Sequence, residues 1–382
     1  MPSRILLLAL CLSVGIPACW LLNYGPSEIV QGPLLKIPND LPLLKKNLKE
    51  NQLAPFRWVE AAEQFAAAGE MDKAKGAFLQ AQKMGPEIPA IWVRTANFYF
   101  LQNQPEAGIE AVSKVLKITS ANDDFVFVYF DQFAPSRDHV YRAILDNRRA
   151  SRSYLSYLMA RSRGEEAFSM WDQNSQRGYI DRPLLVQYLE FLIKQQQFQQ
   201  AVKLWAASLT PEQRGDYPTL NMIYNPGFEQ SPSGSVLDWV IQPLETVETS
   251  LSSTQIKTGK QSLRVQFPGT SNIDFHHVSQ VVSIPVAGNY GFKAMLKMEG
   301  ITTDQGVRFC FEDAATAGKF RFQTEPLRGT SEWIPVTANL AIPSATRGLR
   351  ISICRSASLK FDNKVSGTFW VDDVSLRSGV AY

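Results

Sequence analysis

The chain has 382 residues, of which 45% are hydrophobic, and this length predicts two or three domains with buried cores. Its 39 basic and 36 acidic residues nearly balance. A protein without a strong positive field gains little from the phosphates of nucleic acids, so the composition argues against nucleic-acid binding.

The N-terminus contains an apolar stretch over residues 5–22, which follows a single cation, Arg4. At a helical rise of about 1.5 Å per residue this stretch just spans the apolar layer of a bilayer, and the preceding charge favours export of the remainder. We therefore predict a retained inner-membrane anchor over residues 1–24. Cleavage after Ala18, as in a secretory signal, and lipidation at Cys19 remain open alternatives. Each of the three places the bulk of the chain in the periplasm or elsewhere outside the cytoplasm.

Residues 25–54 are rich in Pro, Gly and Leu and show no sustained period, so we predict a tether between membrane and body. The pattern then becomes helical with a repeat of 34 residues, the distance from Trp58 to Trp92 and again from Trp171 to Trp205. A periodic aromatic stripe is typical of a buried helix face, so we expect these four tryptophans to pack in a core.

At fixed offsets after Trp58, the sequence has large residues at Phe65 and Phe78, a turn residue at Gly69, small residues at Ala74 and Ala81, and a helix-breaking residue at Pro86. This pattern resembles the tetratricopeptide repeat. The resemblance implies four or five helix pairs stacked as a solenoid over residues 55–210, with a degenerate pair over 123–145 and a linker over 211–221. It also implies a concave surface that binds protein partners through an extended peptide or a partner helix.

From residue 222 onward, short alternating runs separated by Pro, Gly, Ser and Asn predict eight or nine β-strands. Three phrases stand out in this region: Asn225-Pro226-Gly227-Phe228-Glu229, Gly259-Lys260-Gln261-Ser262-Leu263-Arg264-Val265 and Trp370-Val371-Asp372-Asp373-Val374-Ser375-Leu376. Together they resemble the galactose-binding-like jelly rolls, especially carbohydrate-binding modules of the family 4/9 type. The resemblance implies an all-β jelly-roll sandwich over residues 222–377, with the first and last phrases as its opening and closing strands.

The same resemblance implies a structural calcium ion that pins the two ends of the sandwich together. The matching ligands are the carboxylates of Glu229 and Asp372 and the backbone carbonyl of Lys260. Calcium requires several oxygen ligands, so carboxylates contributed by distant strands are chemically suitable. The alternative is that Glu229 caps a turn and Asp372 accepts a backbone hydrogen bond.

Sugar recognition needs fixed polar groups for the hydroxyls and a flat ring for the C–H face. Alternation along the predicted strands places six polar residues outward, where a concave sheet would form a groove: Lys293, Arg308, Glu312, Arg321, Gln323 and Arg350. In an apparent loop, Phe275 and His276 are candidates for a rim contact, with the phenyl group as the stacking ring. The alternative is an ordinary solvated sheet face. Trp239 and Trp333 are expected in the core.

Two metal-binding or cross-linking possibilities remain in the predicted sandwich. The adjacent His276 and His277 point to opposite sides of an extended segment, which disfavours joint zinc binding without a third ligand. Cys310 and Cys354 are the only cysteines after the N-terminal segment, and alternation places both on an outward face. They can be bonded or free, because facing the same way does not establish their separation.

The sequence contains no Gly-x-Ser-x-Gly elbow, no phosphate-binding Gly-Lys-Ser/Thr loop and no His-Glu-x-x-His pair, so we predict that the protein is not an enzyme. The combined pattern resembles proteins of bacterial exopolysaccharide gene clusters. It implies a membrane-tethered, extracytoplasmic protein that binds polysaccharide through its sandwich and proteins through its helices. An assembly scaffold that contacts only proteins is the alternative.

Overall fold

The computed structural model describes residues 54–382. The predicted anchor, 1–24, and all but the last residue of the predicted tether lie outside these residues. Within residues 54–382, no helix is both long and apolar enough to cross a bilayer. These residues divide into two compact units, 54–180 and 181–382.

A helical region precedes the sheets, as the sequence predicts. Its helices are α1 (Pro55–Ala67), α2 (Met71–Met84), α3 (Pro89–Leu101), α4 (Pro105–Ser113), α5 (Val115–Ile118), α6 (Asp123–Phe133), α7 (Arg137–Ile144), α8 (Arg148–Ala160), α9 (Gly164–Gln176), α10 (Arg182–Lys194), α11 (Phe198–Ala207) and α12 (Pro211–Arg214). Consecutive helices pack in pairs, α1 with α2, α3 with α4, α8 with α9 and α10 with α11. The stretch predicted as a degenerate pair forms α6 and α7, which pack against α4 and α8.

The turns within the helix pairs repeat the 34-residue spacing in their backbone conformation. Gly69, Asn103, Ser162 and Gln196 all adopt positive φ, at 79°, 56°, 56° and 58°. Each lies just after the first helix of its pair, where a left-handed residue lets the chain reverse. Gly69 meets this requirement without strain, and Asn is among the residues that tolerate the conformation best.

The periodic aromatic residues pack to different degrees. Trp171 and Trp205 are buried, and the half-buried Trp58 packs against the core of the first helix pairs. Trp92 is also half-buried and donates its indole N–H to the carbonyl oxygen of Pro86 at 2.8 Å. The predicted core role therefore holds fully for Trp171 and Trp205 and in part for the other two.

Helices α10 and α11 belong to the same compact unit as the sheets. The ring of Trp205 meets that of Tyr224 edge-on, with 5.4 Å between the ring centroids. The buried ring of Phe198 packs against the backbone of Gly348, where an added Cβ would lie 2.2 Å from the ring. These contacts join the last helix pair to the sandwich.

We expect the Gly348→Ala variant to unfold with a free energy lower by about 1–3 kcal/mol, because the new methyl group has no room beside the buried Phe198 ring. Thermal denaturation measures the change. Gly76→Ala is the matched control, since nothing lies within 4 Å of its added Cβ and alanine favours the interior of α2. Equal stability of Gly348→Ala and the wild type would contradict this packing.

The sandwich consists of two five-stranded antiparallel sheets, with the strand orders β1-β4-β9-β6-β7 and β2-β3-β10-β5-β8. We call the first the front sheet and the second the back sheet. Their strands are β1 (Val240–Ile241), β2 (Glu248–Ser252), β3 (Ser262–Pro268), β4 (Phe275–Ser283), β5 (Gly288–Ile301), β6 (Arg308–Asp313), β7 (Arg321–Gln323), β8 (Gly329–Ile342), β9 (Gly348–Arg355) and β10 (Ser366–Ser378). This arrangement is a jelly-roll-like β-sandwich, and the apolar faces of both sheets form one core.

The opening and closing phrases of the sandwich lie side by side, as predicted, but the opening phrase is not a strand. Residues 221–230 are irregular. Asn221 holds this segment to β10 through its side chain, which donates to the carbonyl oxygen of Val374 at 3.0 Å and accepts from the N–H of Leu376 at 3.0 Å. Phe228 stacks on Trp239, whose buried position confirms the core role expected for it.

Candidate functional site

The outer face of the front sheet collects most of the residues predicted to contact a glycan. Across β9, β6 and β7, Arg350 lies opposite Glu312, and Glu312 lies opposite Arg321. One step along the strands, Ser352, Cys310 and Gln323 form a parallel row. Because side chains alternate between the faces of a sheet, both rows point away from the core.

The charged groups of this face are paired to different extents. Arg321 Nε lies 3.2 Å from Glu312 Oε1. Arg308 donates to the side-chain oxygens of Gln305 and Gln323, at 2.7 and 3.4 Å. Arg350 is exposed and has no carboxylate within ion-pair distance among residues 54–382. Its guanidinium group is therefore available to an incoming ligand.

Lys293 lies elsewhere, and its predicted place in this groove is wrong. It belongs to β5, in the back sheet, where it pairs with Ser375 of β10. Its ammonium group is 3.9 Å from Asp373 Oδ2. Alternation showed only that Lys293 points outward; the outer side of the back sheet is the opposite surface of the sandwich.

Phe275 is not a stacking ring at the rim, because its side chain is only 1% exposed. It packs edge-on against Phe267 with a centroid separation of 5.6 Å. The strand is irregular between Phe275 and Val278, and this bulge turns Phe275 into the core while His276 remains exposed. His276 Nε2 lies 3.0 Å from Asp274 Oδ1.

The two cysteines of the sandwich form a disulfide on the front sheet. Cys310 of β6 and Cys354 of β9 have Cα atoms 6.0 Å apart and are 4% and 1% exposed. The structure thus resolves the two alternatives that the sequence left open. The cross-link joins two central strands of the candidate face.

Sequence reasoning missed two apolar side chains in the loop between β9 and β10. Leu359 and Phe361 have relative exposures of 101% and 105%, whereas other apolar residues of this size are mostly buried. The loop follows directly on the strand that carries Arg350. The sequence does contain a signal for this surface. Leu359-Lys360-Phe361 places two large apolar residues in a polar segment without periodic apolar partners, and such residues indicate an exposed apolar surface.

Hydrogen bonds hold the base of this loop. Ser358 and Asn272 exchange two bonds, at 2.8 and 2.9 Å, and the Ser358 hydroxyl donates to Asp304 Oδ1 at 2.6 Å. That bond lowers the pKa of the Asp304 carboxyl. Beside it, the buried guanidinium of Arg355 donates to the carbonyl oxygen of Ile273 and, at 3.0 Å, to the Thr303 hydroxyl. The loop therefore presents its apolar tip from a fixed base.

The residues predicted to bind calcium lie around the 257–261 turn. Asp372 is fully buried, and its Oδ2 accepts the N–H groups of Lys257 and Thr258 at 2.8 and 2.9 Å. Glu229 Oε1 accepts the N–H groups of Lys260 and Gln261 at 2.8 and 3.2 Å. Lys260 thus contacts Glu229 through its N–H, whereas the prediction assigned its carbonyl to the metal.

The two carboxylates converge on Gly227, whose added Cβ would lie 3.2 Å from Asp372 Oδ1 and 3.6 Å from Glu229 Oε1. Burial raises the pKa of the Asp372 carboxyl, while the N–H groups of Thr258 and Lys257 act in the opposite direction. Two acidic groups beside a narrow turn are a donor set that suits a hard cation. In the structure these carboxylates accept backbone N–H groups, which is the alternative that the sequence left open, with Glu229 capping a turn and Asp372 accepting backbone hydrogen bonds.

Comparison with known proteins identifies neither a family nor a curated relative: no family model matches the chain, and no curated protein matches it. Among solved structures, the CBM22-1 xylan-binding domain from Paenibacillus barcinonensis Xyn10C is 13% identical, with a TM-score of 0.29, covering 41% of this chain and 93% of that one. The CBM22-1-GH10 modules of Clostridium thermocellum xylanase 10B with xylohexaose are 15% identical, with a TM-score of 0.30 and coverages of 42% and 29%.

A third similar structure is the enzymatically active domain of tailspike protein 4 from Bacteriophage CBA120. It is 12% identical, with a TM-score of 0.30, and the match covers 41% of this chain and 21% of that chain.

Proposed function

We propose that the sandwich binds a polysaccharide through the outer face of its front sheet, and that the protein is a binding protein and not an enzyme. The observation that carries the proposal is the row formed by Arg350, Glu312 and Arg321 on one exposed face, with Gln323 in the next row. Guanidinium forks, carboxylates and amides together provide donors and acceptors for vicinal hydroxyls.

The apolar contact of this site comes from the loop beside the sheet. The outward positions of β4, β6, β7 and β9 carry no tryptophan, tyrosine or phenylalanine, so the face itself has no large aromatic ring to cover a pyranose and offers only the smaller imidazole of the exposed His276. Phe361, fully exposed on an anchored loop, can provide that ring. Leu359 extends the same apolar surface.

We further propose that calcium, when bound, is held by Glu229 and Asp372. The ion would supply positive charge between two acidic groups and so hold the opening segment against β10. This role concerns the stability of the sandwich and not the recognition of the glycan.

For the rest of the chain we propose a tetratricopeptide-like helical region that binds protein partners and an N-terminal segment that tethers the protein to the inner membrane. The repeated turn at Gly69, Asn103, Ser162 and Gln196 supports the repeat. Such an extracytoplasmic protein fits a role in exopolysaccharide synthesis or export.

Affinity electrophoresis of the whole protein in gels that contain different polysaccharides tests the glycan proposal. We expect retardation in at least one gel and, for Phe361→Ala, binding about 10-fold weaker, equivalent to ~1.4 kcal/mol for the lost ring contact. Leu101→Ala is the matched control, because Leu101 is an exposed apolar residue of α3, 52% accessible.

Migration unaffected by any polysaccharide would reject glycan binding and favour the protein-only scaffold. Release of reducing ends from a retarding polysaccharide would instead show that the protein is an enzyme.

A further inference from the structure

The structure places two cysteines and an aspartate beside His276, for which the sequence pattern offered no third ligand beyond the adjacent His277. Ligand atoms of His276, Cys310 and Cys354 all lie within 4.8 Å of one another. They come from the adjacent strands β4, β6 and β9 of the front sheet. Asp274 adds a carboxylate oxygen 3.0 Å from His276 Nε2.

Two sulfurs, an imidazole and a carboxylate form a donor set that zinc accepts in proteins. Tetrahedral bonds of ~2.0–2.3 Å place the ligand atoms roughly 3.5–4 Å apart. A ligand atom of His276 lies within 4.8 Å of both sulfurs, which the disulfide holds at bonding distance; after reduction, rotation of the two cysteine side chains would separate the sulfurs to that range. The half-exposed His276 leaves a route from solvent to the buried sulfurs.

The disulfide decides whether this donor set can bind an ion. In the oxidised chain the S–S bond removes both thiolates, which are the metal-binding form of cysteine. A dithiol reductant breaks that bond, contributing two electrons and two protons to give two thiols while it becomes a disulfide itself. Zinc then displaces the two thiol protons.

We propose that the reduced chain binds one zinc ion through His276, Cys310 and Cys354, with Asp274 as the fourth ligand. The disulfide and the zinc ion are then alternative cross-links between β6 and β9. A chain that has not yet met an oxidising compartment would hold these strands together with the metal. This site is independent of the glycan proposal, since it requires no sugar.

Zinc titration of the whole protein tests the proposal in the Cys11→Ser/Cys19→Ser background, in which Cys310 and Cys354 are the only thiols. We expect one zinc per chain after reduction and none at this site before it. Cobalt in place of zinc should produce the thiolate-to-cobalt absorption band only in the reduced chain. His276→Ala should weaken binding at least about 10-fold, since even outer-shell partners contribute that much.

His277→Ala is the matched control and should leave the affinity unchanged, because the neighbouring histidine is outside the cluster. Circular dichroism follows folding in parallel: a reduced chain that unfolds without metal and refolds with zinc also supports the site. The proposal is overturned if the reduced chain takes up no more zinc than the oxidised one, if His277→Ala weakens binding as much as His276→Ala, or if zinc fails to restore an unfolded reduced chain.

Discussion

Removal of the disulfide is expected to lower the free energy of unfolding of the sandwich by about 4 kcal/mol in the Cys310→Ser/Cys354→Ser variant. The two cysteines are 44 residues apart in sequence, and the chain-entropy estimate for a closed loop of that size gives ~4 kcal/mol. The new hydroxyls would add to the loss, because both positions are buried and a buried hydroxyl without a partner is unfavourable.

Urea denaturation under non-reducing conditions measures this effect, since the wild type must keep its disulfide for the comparison. Ser352→Ala is a suitable control because Ser352 is a small, buried residue on the same face, directly opposite Cys310, and we expect a change below about 1 kcal/mol. A double serine variant as stable as this control would show that the cross-link does not stabilise the sandwich.

Replacement of Asp372 by asparagine is expected to destabilise the sandwich by ~2–4 kcal/mol and to abolish its stabilisation by calcium. Both carboxylate oxygens accept backbone N–H groups, from Lys257 and Thr258 on one side and Asp373 on the other. An amide has one acceptor oxygen, so its NH₂ group would face an N–H donor inside the protein. The loss of charge also removes a ligand from the proposed calcium site.

Thermal denaturation with calcium and with a chelator separates the two effects. For the wild type, calcium at about 100 times its Kd should add ~2.7 kcal/mol, and for Asp372→Asn it should add nothing. Asp373→Asn is the matched control: this half-exposed neighbour has φ 49°, which asparagine tolerates, and should keep the calcium response. A wild-type protein that is insensitive to calcium would contradict the site.

The periodicities of the sequence were sufficient to predict a helical region followed by an antiparallel sandwich. Apolar residues at helical spacing share one face of a helix, and alternating apolar residues share one face of a strand. Both patterns therefore predict which face of the element is buried. These local rules also placed Arg350, Glu312, Arg321 and Gln323 on the outward side of their strands, where the structure has them.

Local rules could not assign strands to sheets. Lys293 and Arg308 both point outward, yet they lie on opposite surfaces because β5 pairs with β10 and β6 pairs with β9. The register of distant strands depends on hydrogen bonds that close only in the folded chain. The bulge that buries Phe275 likewise depends on the pairing of β4 with β9.

The sequence by itself determined that a helical region precedes an antiparallel sandwich and that the two cysteines share an outward side. Only the tertiary structure decided that those cysteines bond, that His276 lies beside them and that Phe361 is left in solvent. The physical reason is that a period describes the direction of a side chain relative to its own backbone. Contact between side chains from different strands requires the distances that folding of the whole sandwich sets.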